Sequence, residues 1–164
     1  MGLRTPIDLR DPAERELAVR ISASWKEMRR GSAMAALRDH LFGVGPDALE
    51  SGQVDTLDLL VKREGWRMSA LAEALRVDPS TATRAVQRLV RVGLAERRPS
   101  DEDGRVVMVT ATPIGRERHR VIARRRRELM ADMLGAFEPD ERQQLADLMD
   151  RFVVALDDIV GALH

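Results

Sequence analysis

The chain has no cysteine. That excludes a disulfide framework and a thiol-based oxidation sensor, and leaves methionine as the oxidisable sulfur. No apolar run is long enough to span a membrane, and the opening residues, MGLRTPIDLRD, lack the apolar core of a secretory signal. A cytoplasmic location is the expectation. The motifs that mark common enzymes are missing: there is no GxSxG, no GxxxxGK[ST], no HExxH and no CxxC. The carboxylates are scattered along helical segments and read as surface charge, so neither catalytic residues nor a cofactor are expected. Histidine is scarce, with only His40, His119 and His164, and neither HxxxH nor HxH spacing occurs. A zinc site across elements would need carboxylates as well, and that ligand pattern is poor. No metal is expected, and His119 reads as part of a basic helix.

Net charge is absent too. Lysine and arginine number 27, as do aspartate and glutamate. The balance hides a strong asymmetry. Between Arg84 and Arg127 the bases are Arg84, Arg88, Arg91, Arg97, Arg98, Arg105, Arg116, Arg118, Arg120 and Arg124 through Arg127, against Glu96, Asp101, Glu102, Asp103 and Glu117. From Glu128 onward acids dominate, with only Arg142 and Arg151 opposing them. A basic centre beside an acidic end attracts phosphates at one place and keeps the other off a duplex. The run Arg124–Arg127 reads mainly as a solvated helix surface, because four consecutive residues cannot share one face.

What is present is concentrated between Met68 and Gly115. Leu71, Ala72 and Leu75 recur at helical spacing, with Ser69 as a candidate N-cap. Arg76-Val77-Asp78-Pro79 then ends one helix and begins another. A residue before proline resists the α region, Asp can cap, and Pro suits the first helical position. Ala82, Ala85, Val86, Leu89 and Val90 form an apolar stripe. Ser80, Thr81, Thr83, Arg84, Gln87, Arg88 and Arg91 lie largely off it, and Gly93 supplies the stop. A hairpin follows: Leu94–Pro99, a turn at Asp103-Gly104, and a β-branched run over Arg105–Thr110. Thr112-Pro113 opens a further helix. Two short helices, a charged hairpin and a long helix make a winged helix-turn-helix.

The polar face of the second helix reads as a DNA-reading surface. Arg and Gln match guanine and adenine edges, and Ser and Thr bond phosphates or bases. A merely solvated face has less use for Ser and Thr, which are mediocre helix formers.

The segment resembles the MarR-type transcriptional regulators, named for multiple-antibiotic resistance. The matching residues are Leu71-Ala72-Glu73, Asp78 through Arg84, Leu89, Gly93-Leu94, Glu96-Arg97-Arg98, Asp103-Gly104-Arg105 and Val109 through Gly115. The resemblance extends more loosely from about Gln53 to the C-terminus. It implies a homodimer on a pseudo-palindromic operator of double-stranded DNA, usually as a repressor. It places the recognition helix at Ser80 through Arg91, with Ser80, Thr81, Thr83, Arg84, Gln87 and Arg88 as DNA contacts. The wing contacts are Arg97, Arg98, Asp103 and Arg105. The resemblance puts Arg105 in the minor groove with Asp103 helping to hold it, and a narrow minor groove does favour arginine. The alternative for Arg105 is an exposed cross-strand charge.

The rest reads as helix. A long pattern from Pro12 to about Asp39 carries Val19, Ile21, Trp25 and Met28, with a bend at Gly31-Ser32 and a break at Gly43–Pro46. Val54–Glu64 reads as a buried helix ending at Gly65. Pro113 to about Leu134 is a long basic helix, Gly135 breaks it, and Glu138-Pro139 starts a last helix reaching Leu163. On that last helix Leu145, Leu148, Met149, Phe152, Val153, Leu156, Ile159, Val160 and Leu163 recur at helical spacing. The expected fold is mainly α with a small β-hairpin wing and dimerisation helices at both ends. Residues 1–46 form an N-terminal helical dimerisation and ligand-pocket segment, 47–112 the DNA-binding domain and 113–164 the C-terminal dimerisation helices. Phe152, Val153, Leu156, Ile159 and Leu163 are the candidate dimer contacts.

In proteins of the resembled family, small ligands bind between the dimer helices and the DNA-binding lobe. A phenolic or drug-like effector would here meet Trp25, Met28, His40, Phe42 and Leu59, and the alternative is that these are ordinary core. The competing function is a winged-helix protein-interaction module without specific DNA binding. Such a module should expose apolar or aromatic anchors on its second helix, where this chain exposes hydrogen-bonding groups and charge.

Overall fold

The computed structural model describes residues 6–100 and 106–163. Among these residues seven helices and three strands follow in the order α1 (Pro12–Arg30), α2 (Ser32–Phe42), α3 (Ser51–Leu60), β1 (Trp66–Arg67), α4 (Met68–Leu75), α5 (Pro79–Arg91), β2 (Ala95–Pro99), β3 (Val107–Ala111), α6 (Pro113–Leu134) and α7 (Pro139–Ala162). The chain divides into two compact units, and the boundary falls after His119, inside α6.

In the first unit α5 packs against α3 and α4. Val54, Leu57 and Leu60 from α3, Leu71 from α4, and Ala82, Val86 and Leu89 from α5 are all buried. Of the expected apolar stripe of α5, Ala82, Val86 and Leu89 form its core face, Ala85 is half-buried and Val90 is exposed. Thr56 is the one polar residue in this core among the described residues, and its hydroxyl donates to the Gly52 carbonyl at 2.6 Å.

The strands form an antiparallel sheet in the order β1-β3-β2. The register sets Ala95 opposite Ala111, and Val109 between Trp66 and Arg97. Ala95, Val109, Ala111 and Trp66 are buried, so this face closes the core. Alternation along the strands sends Glu96, Arg98, Met108 and Thr110 to the other face. The Trp66 indole donates to the Leu59 carbonyl at 2.9 Å, and the Arg63 guanidinium lies 3.2 Å from the ring centroid.

Several boundaries differ from the sequence reading. Gly31 separates two helices, where a bend was expected. Helix α3 ends at Leu60 and not at Glu64, because the chain must turn to deliver Trp66 to the sheet. Ser69 is not the cap of α4. The helix begins at Met68, and Arg67 holds the cap position in extended conformation without a side-chain bond. Arg67 is already paired in β1, so the strand itself sets the helix start. The last helix keeps its expected start, with Glu138 and Glu141 forming a capping box.

Candidate nucleic-acid interface

Helix α5 is positioned at both ends. Asp78 sits at its N-cap and accepts from the backbone amides of Ser80 at 2.9 Å and Thr81 at 3.0 Å. Pro79 follows at the first position, as the sequence implied. The preceding turn places Arg76 in the left-handed region at φ 54°, which closes α4 against the start of α5. At the far end Gly93 has φ +73°, and the Leu94 amide bonds the Leu89 carbonyl.

Asp78 also takes the side-chain hydroxyls. Ser80 Oγ donates to Oδ1 at 2.5 Å, and Thr81 Oγ1 donates to Oδ2 at 2.6 Å. The hydroxyls of Ser80 and Thr81, followed by the Thr81 amide, hold the Asp78 carboxyl well below the usual carboxylate range. Thr83 Oγ1 donates to the Pro79 carbonyl at 2.7 Å. Ser80, Thr81, Arg84 and Gln87 are exposed together on the face opposite the core. Arg88 is half-buried, and its guanidinium reaches back to the Pro46 carbonyl at 2.7 Å. Of the six expected recognition residues, the structure displays four outward and engages Thr83 and Arg88 with its own backbone.

The wing arginines separate. Arg97 and Arg98 lie on opposite faces of β2. Arg98 pairs with Glu96 at 2.5 Å, and Arg97 is exposed. Asp103 and Arg105 lie outside the described residues. The outer sheet face lines a cleft of about 570 Å³ with Glu64, Glu96, Arg98, Met108, Thr110 and Arg116. None of the expected ligand-pocket residues lines it. Phe42 is buried, Leu59 is half-buried, and Trp25, Met28 and His40 are exposed.

Part of the basic block serves the scaffold. Arg116 donates to the Val61 carbonyl at 3.4 Å, and Arg118 to the Phe42 carbonyl at 2.8 Å. His119 lies 3.1 Å from Asp58. These links tie the start of α6 to α2 and α3. A further determinant escaped the sequence reading. Gly115 lets α6 approach Leu94 so closely that an added Cβ would lie 2.0 Å from the Leu94 carbonyl oxygen. Thr112 secures the contact by donating to the Gly93 carbonyl at 2.7 Å and accepting from the Gly115 amide at 3.0 Å. The signal was the pairing of a cap threonine with glycine three residues on.

The sequence pattern of the MarR family matches residues 49–107, the span from α3 to the start of β3. An HTH-type transcriptional regulator of Mycobacterium bovis, Mb0904, is 30% identical over 106 residues, covering 65% of this chain and 74% of that protein. The chain belongs to the MarR family. YdgJ, an HTH-type transcriptional regulator of Bacillus subtilis, is 28% identical over 103 residues, and the match spans 63% of its length. The MarR fold is also shared with FabT of Streptococcus pneumoniae, solved in complex with DNA, at TM-score 0.74 and 22% identity over 87% of this chain and 99% of that one. PcaV of Streptomyces coelicolor, solved with its natural ligand, aligns at TM-score 0.61 and 25% identity over 93% of this chain and 99% of that one. The family and the relatives Mb0904 and YdgJ are transcriptional regulators and not enzymes. No helix among the described residues is long and apolar enough to cross a membrane.

Proposed function

We propose that this MarR-family protein is a homodimeric repressor that binds a pseudo-palindromic operator. The observation that carries the reading is the division of α5. Its Ala82, Val86 and Leu89 are wholly buried, and its opposite face offers Ser80, Thr81, Arg84 and Gln87 to solvent. A helix held rigidly by its apolar side, with hydrogen-bonding groups on the other, fits the major groove. Arg97 on β2 and Asp103 and Arg105 beyond it supply the wing's share, with arginine in the adjacent minor groove. Repression follows from occupying DNA that polymerase needs.

The dimer rests on apolar surface. Leu17, Ile21, Trp25 and Met28 follow one face of α1, and Phe152, Val153, Leu156 and Ile159 recur along α7, with Leu163 at its C-cap. All are exposed. Stripes of this length rimmed by charge mark interaction surfaces. On the proposed division, residues 1–46 and 113–164 join two copies, and 47–112 read DNA. The likeness to PcaV supports a small-molecule effector that releases the operator, with Trp25, Met28, His40, Phe42 and Leu59 as its candidate contacts.

Selection of genomic fragments with the purified protein, followed by titration of the enriched sequence at two salt concentrations, tests the reading. A palindrome bound with steep salt dependence is expected. Failure to enrich any sequence overturns it. On that operator Arg84→Ala should lose about 1–3 kcal/mol and relax the preference at one base position. Equal weakening on every sequence would assign Arg84 to a phosphate instead.

A further inference from the structure

We infer that the Ser80 and Thr81 hydroxyls act as acceptors toward DNA, selecting bases that present an exocyclic amino group in the major groove and not contacting phosphates. The inference rests on the reading that α5 enters the major groove, and it assigns what the first turn reads there.

A hydroxyl has one proton to donate and two lone pairs to accept with. Both protons are committed. Ser80 donates to Asp78 Oδ1 at 2.5 Å and Thr81 to Oδ2 at 2.6 Å. The acceptor is an ionised carboxylate, which cannot donate in return, so the proton in each bond belongs to the hydroxyl. Hydrogen bonds to a charged acceptor are stronger than neutral ones. Thr83 is committed in the same sense, toward the Pro79 carbonyl. What the exposed Ser80 and Thr81 present outward is therefore lone pairs.

That decides which partners fit. A phosphate oxygen only accepts, and meets no donor here. It also meets the Asp78 charge, which fills the helix N-terminus that would otherwise attract it. Guanine offers O6 and N7 in the major groove, both acceptors. Cytosine N4 and adenine N6 are donors and match. The next turn is complementary. Arg84 carries donors only and suits guanine, and Arg88 is a positioning residue whose guanidinium is anchored on Pro46. The exposed face of α5 thus runs from an acceptor turn to a donor turn, and that order constrains the operator half-site.

The test uses the full chain on its selected operator. Each adenine is replaced in turn by purine, and each cytosine by 2-pyrimidinone, which removes only the exocyclic amine. At one or two positions per half-site the wild type should lose about tenfold in affinity. Ser80→Ala or Thr81→Val should abolish that sensitivity at one position each. Methylphosphonate substitution of the backbone should show no coupling to either variant. Asp78→Asn gives Thr81 or Ser80 an amide partner that donates, which frees a hydroxyl proton and should shift the preference at that position toward guanine or thymine. Amine deletions that cost the same in wild type and both variants overturn the inference, as does coupling to methylphosphonates. Wild-type binding to operator no tighter than to scrambled DNA would instead sink the DNA reading on which it rests.

Discussion

Gly115 has no side chain because the fold leaves no place for one. The clashing atoms would be the carbonyl oxygen of Leu94 at 2.0 Å and its carbon at 2.9 Å, both backbone. A flexible side chain could swing aside, whereas Leu94 is fixed by the hydrogen bond its N–H donates to the Leu89 carbonyl and by the one the Thr112 N–H donates to its own carbonyl. Gly115→Ala therefore must push α6 away from the end of α5. Forcing extra volume into such a contact should cost about 3 kcal/mol. Chemical denaturation measures it, and a loss below about 0.5 kcal/mol would mean that the close approach is absent.

At the scale of elements, the clearest device is the start of α5. The hydroxyls of Ser80 and Thr81 and the first amides of the helix all prefer Asp78 ionised, so its native pKa lies below the ordinary 3.8. In the unfolded chain those donors are gone. Acid therefore protonates the unfolded state first, and the stabilisation is complete at neutral pH. It starts to fade as pH falls toward 3.8 and disappears only beneath the native value. The stability gap between wild type and Asp78→Ala should be flat from neutrality to about pH 5 and narrow below that. A gap independent of pH down to pH 2 would deny the carboxylate this role. The same start was legible in the sequence because cap chemistry is local: Asp78-Pro79, Thr112-Pro113 and Glu138-Pro139 each carry their signal within four residues. The polar and apolar faces of α5 were legible for a similar reason, their periodicity. Strand β1 was not, since two residues, Trp66 and Arg67, become a strand only by pairing with Val109 and Met108. Missing β1 also displaced the start of α4 and the end of α3. The partners of Arg88, Arg98 and Arg118 depend on where the chain folds back, and composition alone made them look like one phosphate-binding block.

At the scale of the molecule, zero net charge and exposed apolar stripes point the same way. With no overall charge to repel a second copy, nothing general opposes association. Helix α7 has no buried residue, and Phe152, Leu156 and Ile159 are 43%, 43% and 51% exposed. A helix with apolar residues at this spacing gains most of its stability from burying that face, so a solvated α7 is incomplete. If a second copy covers it, the wild type should be a dimer by light scattering at micromolar concentration. Leu156→Glu combined with Ile159→Glu places charges within the covered stripe and should yield monomers. The Met1–His119 unit has its own core, so the α5 face should survive in those monomers, and circular dichroism checks that the fold is kept. Each monomer then grips one half-site instead of two spaced about 34 Å apart, and operator affinity should collapse while weak, salt-sensitive binding to any DNA persists. A double variant that stays dimeric and keeps its operator would remove α7 from the interface and leave the α1 stripe to account for the pairing.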